Sequence, residues 1–93
     1  MKVRFTAAAR DDIAHIHDYI FQHNPLAAAR VVHAIERATN RLADFPNSGR
    51  IGGVAGTREV VVPSLPYISV YRITASHVEV IAVFHAAEDM PRG

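Results

Sequence analysis

No cysteine occurs among the 93 residues, so disulfides and thiolate chemistry are excluded, and a reducing compartment is compatible with the chain. A long apolar run is also missing: nothing approaches the ~20 residues that a membrane-spanning helix needs. The N-terminus, MKVRFTAAARDD, meets charge too early to supply the apolar centre of a secretory signal. The expected location is therefore the cytoplasm, with no membrane partner. Charge of one sign is scarce as well. Formal net charge is +1, and from Pro46 onward Arg50, Arg58, Arg72 and Arg92 are balanced by Glu59, Glu79, Glu88 and Asp89. A protein that lives by neutralising many phosphates usually carries a clear basic excess on one face, so direct sequence-specific nucleic-acid binding is not expected.

Several chemical signatures are absent too. There is no internal repeat and no low-complexity tract. The glycine-rich stretch PNSGRIGGVAG, Pro46 to Gly56, follows no strand and precedes no helix, which removes a dinucleotide or phosphate-loop reading and leaves a mobile loop as the expectation. His15 and His17 sit two apart and point to different faces of a helix, unlike the i, i+4 histidines of a His-Glu-x-x-His zinc site. No metal and no cofactor are expected. Ser48, Ser64, Ser69 and Ser76 lie in no nucleophile-elbow context.

What the chain does have is apolar content of 49 % against 20 % charged residues, ordinary for a globular protein and too apolar for a disordered one. Its length suits a single domain over residues 1–93, of modest stability. The run Thr57 to His85 is dominated by valine, isoleucine, tyrosine and phenylalanine, with short breaks at Pro63-Ser64-Leu65-Pro66 and Ala75-Ser76. Breaks that short force consecutive strands to reverse, which predicts an antiparallel meander of three strands. In the last of them, Val78, Val80, Ala82 and Phe84 alternate with Glu79, Ile81, Val83 and His85. Both sets are rich in apolar residues, so this strand is expected to be interior or covered on both faces.

Lys2 to Phe5 alternates and predicts a further strand. Thr6 is a suitable N-cap for a helix in which Asp11 and Asp12 lie near the positive end of the macrodipole and Ala9, Ile13, Ile16 and Ile20 form one stripe. Asn24 and Pro25 open a second helix, whose stripe is Ala28, Val31, Val32, Ile35, Ala38, Leu42 and Phe45. Two helices with almost no linker must fold back on each other. The expected fold is α+β: an N-terminal strand and an antiparallel helical hairpin packed on a mainly antiparallel sheet of about four strands. Two helices shield only part of such a sheet, leaving an apolar face for another chain.

This order, with particular residues, resembles the ParE branch of the RelE/ParE superfamily of bacterial toxins. The likeness is carried by Ala9-x-x-Asp12-Ile13-x-x-Ile16-x-x-Tyr19-Ile20, then Leu42-x-x-Phe45-Pro46-x-x-Gly49-Arg50. It continues with Arg58-Glu59, Pro66-Tyr67-x-x-x-Tyr71-Arg72-Ile73, and Val83-Phe84-His85 with Asp89 behind it. The resemblance implies a toxin neutralised by a ParD-like antitoxin whose C-terminal segment wraps it, with DNA gyrase as the target. The RelE branch instead cuts messenger RNA on the ribosome, and a shared fold does not separate the two activities.

RNA cleavage by a 2′-hydroxyl needs a base, an acid and a group that stabilises the developing phosphorane charge. The nucleases resemble Tyr-Arg-x-x-Tyr in the central strand and often carry an aromatic hydroxyl near the C-terminus. Here the Arg position is Ile68, and no tyrosine follows the last strand. Both departures point to a binding inhibitor rather than an enzyme, with Arg58, Arg72 and His85 as candidate target-binding residues. If the chain is a nuclease, its catalytic set is Arg50, Arg58, Arg72 and His85. The plainer reading has Arg58 and Glu59 as neighbours on a solvated strand, Arg72 paired across strands with Glu79, and His85 as an edge histidine able to titrate near neutral pH.

Overall fold

The computed structural model describes residues 1–87. A first strand, β1 (Lys2–Phe5), leads into helix α1 (Ala7–Phe21) and helix α2 (Pro25–Asn40), which closes in a 3₁₀ turn at Arg41–Ala43. Strands β2 (Arg50–Ile51), β3 (Arg58–Val61), β4 (Tyr67–Ile73) and β5 (His77–His85) follow. The five strands form one sheet in the order β1-β5-β4-β3-β2. The meander β3-β4-β5 is antiparallel as expected, while β1 lies parallel to β5.

The helix starts follow from the caps. The Thr6 hydroxyl accepts from the Ala9 amide at 3.1 Å, and the Asn24 side chain accepts from the Ala27 amide at 3.1 Å ahead of Pro25. Because α1 begins at Ala7, Asp11 and Asp12 fall beyond its first turn, and no acid occupies the position where the macrodipole acts most strongly. The apolar stripes of both helices meet the sheet around Ala9, Ile35, Ala38, Leu42, Val62, Tyr71, Val78, Val80 and Val83. Phe45 departs from the expected stripe and is 60 % exposed. The 3₁₀ turn changes the residues per turn after Asn40, so the period that carries Leu42 into the core no longer carries Phe45 there.

Three expectations about the sheet need correction. It has five strands rather than about four, because the loop expected to be mobile contributes β2, which pairs with β3 through Arg50 opposite Glu59 and Ile51 opposite Arg58. What holds the loop is Tyr71. Its side chain is fully buried, and its hydroxyl donates to the Pro46 carbonyl at 2.7 Å while accepting from the Gly49 amide at 2.9 Å. Second, β5 does not alternate strictly. Tyr71 faces Val80 but Val70 faces Ala82, so Ile81 forms a bulge. Past it the faces exchange: Val83 and His85 join Val78 and Val80 on the helix side, while Ala82 and Phe84 share the other face with Glu79.

Third, the face turned from the helices is less bare than expected. Ile68 and Val70 are only 8 % and 0 % exposed. β4 is the central strand, and its side chains there are flanked by registered neighbours on both sides, Val61 and Phe84 beside Ile68, Glu59 and Ala82 beside Val70. On that face Val61 is exposed at the β3 edge, and most other exposed apolar surface lies at Tyr19, Phe21 and Leu26 near the helical turn and at Phe45 and Ile51 around β2.

β1 ends at Phe5, so the outer side of β5 has no strand beside it after Val80. Asp12 takes over there, its carboxylate accepting from the Val83 amide at 2.9 Å. This contact ties α1 to the strand just past the bulge. Asp12→Ala is expected to cost about 1–3 kcal/mol, the range for leaving a partly buried amide unsatisfied, with Asp12→Asn costing less because an acceptor remains. Thermal unfolding together with hydrogen exchange of the Val83 amide checks this: exchange there should accelerate more than at Val80.

Candidate functional site

The four candidate residues do not assemble. Register places Arg58 opposite Tyr71 and His85 opposite Tyr67, so both lie on the helix side, roughly 13 Å apart along β4 and on different strands. Arg50, opposite Glu59, and Arg72, opposite Glu79, lie on the other face. Arg58 is parted from Arg50 and Arg72 by strand alternation, and His85 by the bulge at Ile81. Without it, His85 would share a face with Glu79 and Arg72.

Each arginine also has an internal partner. Arg50 donates through Nε and Nη2 to the Glu59 carboxylate at 3.1 and 3.0 Å. Arg58 donates to the Gly49 carbonyl at 2.8 Å and the Asn47 carbonyl at 3.3 Å, so it braces the loop that Tyr71 anchors. Arg72 donates through Nε to Glu79 at 2.7 Å, the cross-strand pair that the sequence suggested. These contacts do not forbid a phosphate, but each guanidinium would have to exchange a partner to bind one.

The Arg72 hydrogen bond, followed by the attraction of its charge, holds the Glu79 carboxyl below the usual carboxylate range against the opposing effect of burial. His77 adds to this, with Nε2 at 3.7 Å from the carboxylate. A group whose folded pKa is depressed stabilises the fold above its unfolded value, and the contribution disappears as pH falls through the folded one. Stability from Glu79 is thus fully present above about pH 4.5 and fades below it. Glu79→Gln should lower the melting temperature most at pH 7 and progressively less as pH falls below about 4.5, so that the variant's acid-side decline is flatter, measured by thermal scans across that range.

His85 does have company. With Tyr67, against which it packs edge to face at a centroid distance of 5.4 Å, it lines a cleft of about 280 Å³ whose other wall is His15, Ile16 and Tyr19 of α1. The sequence offers His15 only as a rejected metal ligand and Tyr19 only as part of the family pattern, and only knowledge of the bulge could have brought them to His85. His17 points elsewhere, stacking on Phe21 at 5.5 Å. Among the described residues no group of three or more His, Asp or Glu side chains is placed to hold a metal. The Ser69 hydroxyl is buried without a hydrogen-bond partner, so no base stands ready to activate it. No described helix is long and apolar enough to cross a membrane. Asp89, part of the resemblance, lies outside the described residues.

A hairpin of helices on a mixed sheet of this kind is shared with solved structures. The structure of the chromosomal ParDE TA system from P. aeruginosa superposes with a TM-score of 0.83 at 20 % identity, over 91 % of this chain and 95 % of that one. The YoeB/ParE toxin from Agrobacterium tumefaciens follows at 0.63 and 24 %, over 91 % and 98 %. These likenesses show the fold. In sequence, the chain is 42 % identical over 98 % of its length to Y4kP of Sinorhizobium fredii, a protein named as a toxin, covering 94 % of it. It is 36 % identical to Toxin RelE2 of Caulobacter vibrioides, over 92 % of this chain and 96 % of that protein. The family model for the ParE toxin of the type II toxin-antitoxin system, parDE, matches residues 3–90. The chain belongs to this ParE toxin family.

Proposed function

We propose that this type II toxin acts in the cytoplasm by binding DNA gyrase rather than by cutting RNA, and that a ParD-like antitoxin holds it inactive. The observation that carries the reading is the division of Arg50, Arg58, Arg72 and His85 between two sheet faces, each arginine engaged by a carboxylate or a carbonyl. Phosphorane stabilisation needs preorganised cations converging on one point, and this arrangement supplies none among those four. Ile68, where the nucleases resemble arginine, is buried and apolar. Binding a large protein makes no such demand, and Arg58, Arg72 and His85 remain the candidate contacts.

A second reading is ribosome-dependent cleavage of messenger RNA through Arg50, Arg58, Arg72 and His85. Two observations favour it: the RelE names of the Caulobacter relatives, and the cleft in which His85 meets His15, Tyr19 and Tyr67. Inducing the chain alone and with the product of its adjacent reading frame tests the shared part. Growth arrest relieved by the second protein is expected; growth unaffected by the chain alone would overturn the toxin reading for this member. Mapping transcript ends in the arrested cells separates the two targets.

A further inference from the structure

The even spread of charge along the sequence is lost on the sheet face turned from the helices. Val3 and Phe5 pack against the core, so Lys2 and Arg4 of β1 point to this outer face. Register sets Lys2 beside His77 and Arg4 beside Glu79 on β5, and β4 brings Arg72 to the other side of the same glutamate. One carboxylate thus stands between two arginines. Arg72 holds it, with Nε at 2.7 Å, and His77 approaches it at 3.7 Å while its Nδ1 lies 3.0 Å from the Thr74 and Ser76 hydroxyls. The other acid that the strands bring to this face, Glu59, is taken by Arg50 at 3.0 Å. Lys2 and Arg4 are exposed, and among the described residues neither has a carboxylate partner. β1 is an edge strand, and a charged side chain there blunts edge-to-edge pairing. Either sign would serve that end, so edge protection does not account for two unpaired charges that are both positive and share one corner with Arg72.

We propose that this corner of the outer face grips the phosphate backbone of duplex DNA, with Lys2 and Arg4 on phosphates of one strand and Arg72 beside them. Lys2 and Arg4 are two residues apart on one strand, so their Cα atoms are separated by roughly 6.6 Å, and Arg72 stands about 10 Å from Arg4, two strand spacings across the sheet. Contacts of this kind position a duplex without reading its bases. Single-stranded RNA is a poorer match, because proteins hold it by stacking bases on aromatic rings, and the strand residues of this corner include no tyrosine or phenylalanine. Its one ring, His77, is turned to Glu79 and the two hydroxyls. Two or three phosphate contacts hold DNA only weakly at physiological salt, but on a chain already bound to gyrase they act at high effective concentration on the DNA that the enzyme carries. That last step rests on the gyrase reading; the phosphate site itself does not.

The test follows the anisotropy of a short fluorescein-labelled duplex as the full chain is added, over a series of salt concentrations. The duplex should bind at low salt. Lys2→Gln with Arg4→Gln should weaken binding at least about tenfold and lower the slope of log affinity against log salt by about 1.8, from roughly 0.9 per phosphate contact. Lys2→Arg with Arg4→Lys keeps both charges and should keep the slope. Arg30→Gln with Arg37→Gln removes the same charge from exposed positions of α2 and should also leave the slope as it is. Unchanged melting temperatures show that the variants fold. A duplex that does not bind, a slope unmoved by the glutamines at Lys2 and Arg4, or an equal loss from the α2 pair overturns the site. So does a single-stranded RNA of the same length that binds more tightly through the same two residues. A second arm measures the chain on gyrase with and without DNA, where tighter binding with DNA, lost when Lys2 and Arg4 become glutamine, is expected. Equal binding in both states overturns the role of the site while the gyrase reading survives. No binding to gyrase, beside intact binding of the duplex, overturns the gyrase reading and supports the phosphate site alone.

Discussion

Gly49→Ala is expected to destabilise the fold by about 2–5 kcal/mol, the combined range for forcing an extra methyl into a packed site and for losing a buried hydrogen bond. A Cβ at Gly49 would stand 2.5 Å from the Tyr71 hydroxyl oxygen and 2.7 Å from the Glu59 carbonyl oxygen. The backbone there does not require the left-handed region, so the effect is one of space alone. The methyl pushes directly against the hydroxyl that receives the Gly49 amide and bonds Pro46. Tyr71→Phe keeps the ring and removes only those bonds, at about 1–3 kcal/mol. Combined, the two substitutions should cost less than their sum, because the second removes one of the atoms the first collides with. Urea unfolding of the single and double variants measures the cycle, and additive costs would contradict the clasp. In a domain of this size the single substitution at Gly49 approaches the whole stability.

Ile35→Ala should cost on the order of 2–5 kcal/mol, since its side chain is fully buried where α2 meets the sheet. The informative comparison is Phe45→Ala. The sequence placed both residues on one stripe, yet Phe45 is 60 % exposed, and its truncation should change stability by no more than about 0.5 kcal/mol. Chemical denaturation of the two variants side by side checks the pair; equal losses would mean that the helical period continues through Phe45.

These residues also show what was legible in the sequence. Thr6, Asn24 and Pro25 announce both helix starts because capping is a local matter of a side-chain oxygen three residues from an amide. The antiparallel meander follows from short breaks between β-rich runs, and the Arg72–Glu79 pair from simple strand spacing. What escaped depends on contacts distant in sequence. β2 exists because Tyr71 reaches a loop 22 and 25 residues away, and nothing within PNSGRIGGVAG signals that partner. Asp12 reads as a helix-start acid, while its contact is with the Val83 amide, 71 residues on. The bulge at Ile81 is invisible to an alternation count, yet it alone decides which face carries His85. The candidate site was therefore readable as a list of residues but not as a geometry, since one extra residue in β5 separates the imidazole from the Arg72 side of the sheet.

Inhibition by binding, without scission, is tested most directly by adding the purified chain to purified DNA gyrase and following supercoiling of relaxed plasmid, while translating ribosomes with full-length messenger are treated in parallel. Supercoiling should be lost and then restored by the antitoxin, with the messenger left intact. Supercoiling that proceeds unchanged at excess toxin, alongside messenger cut at the ribosome and protected by His85→Ala, would contradict it.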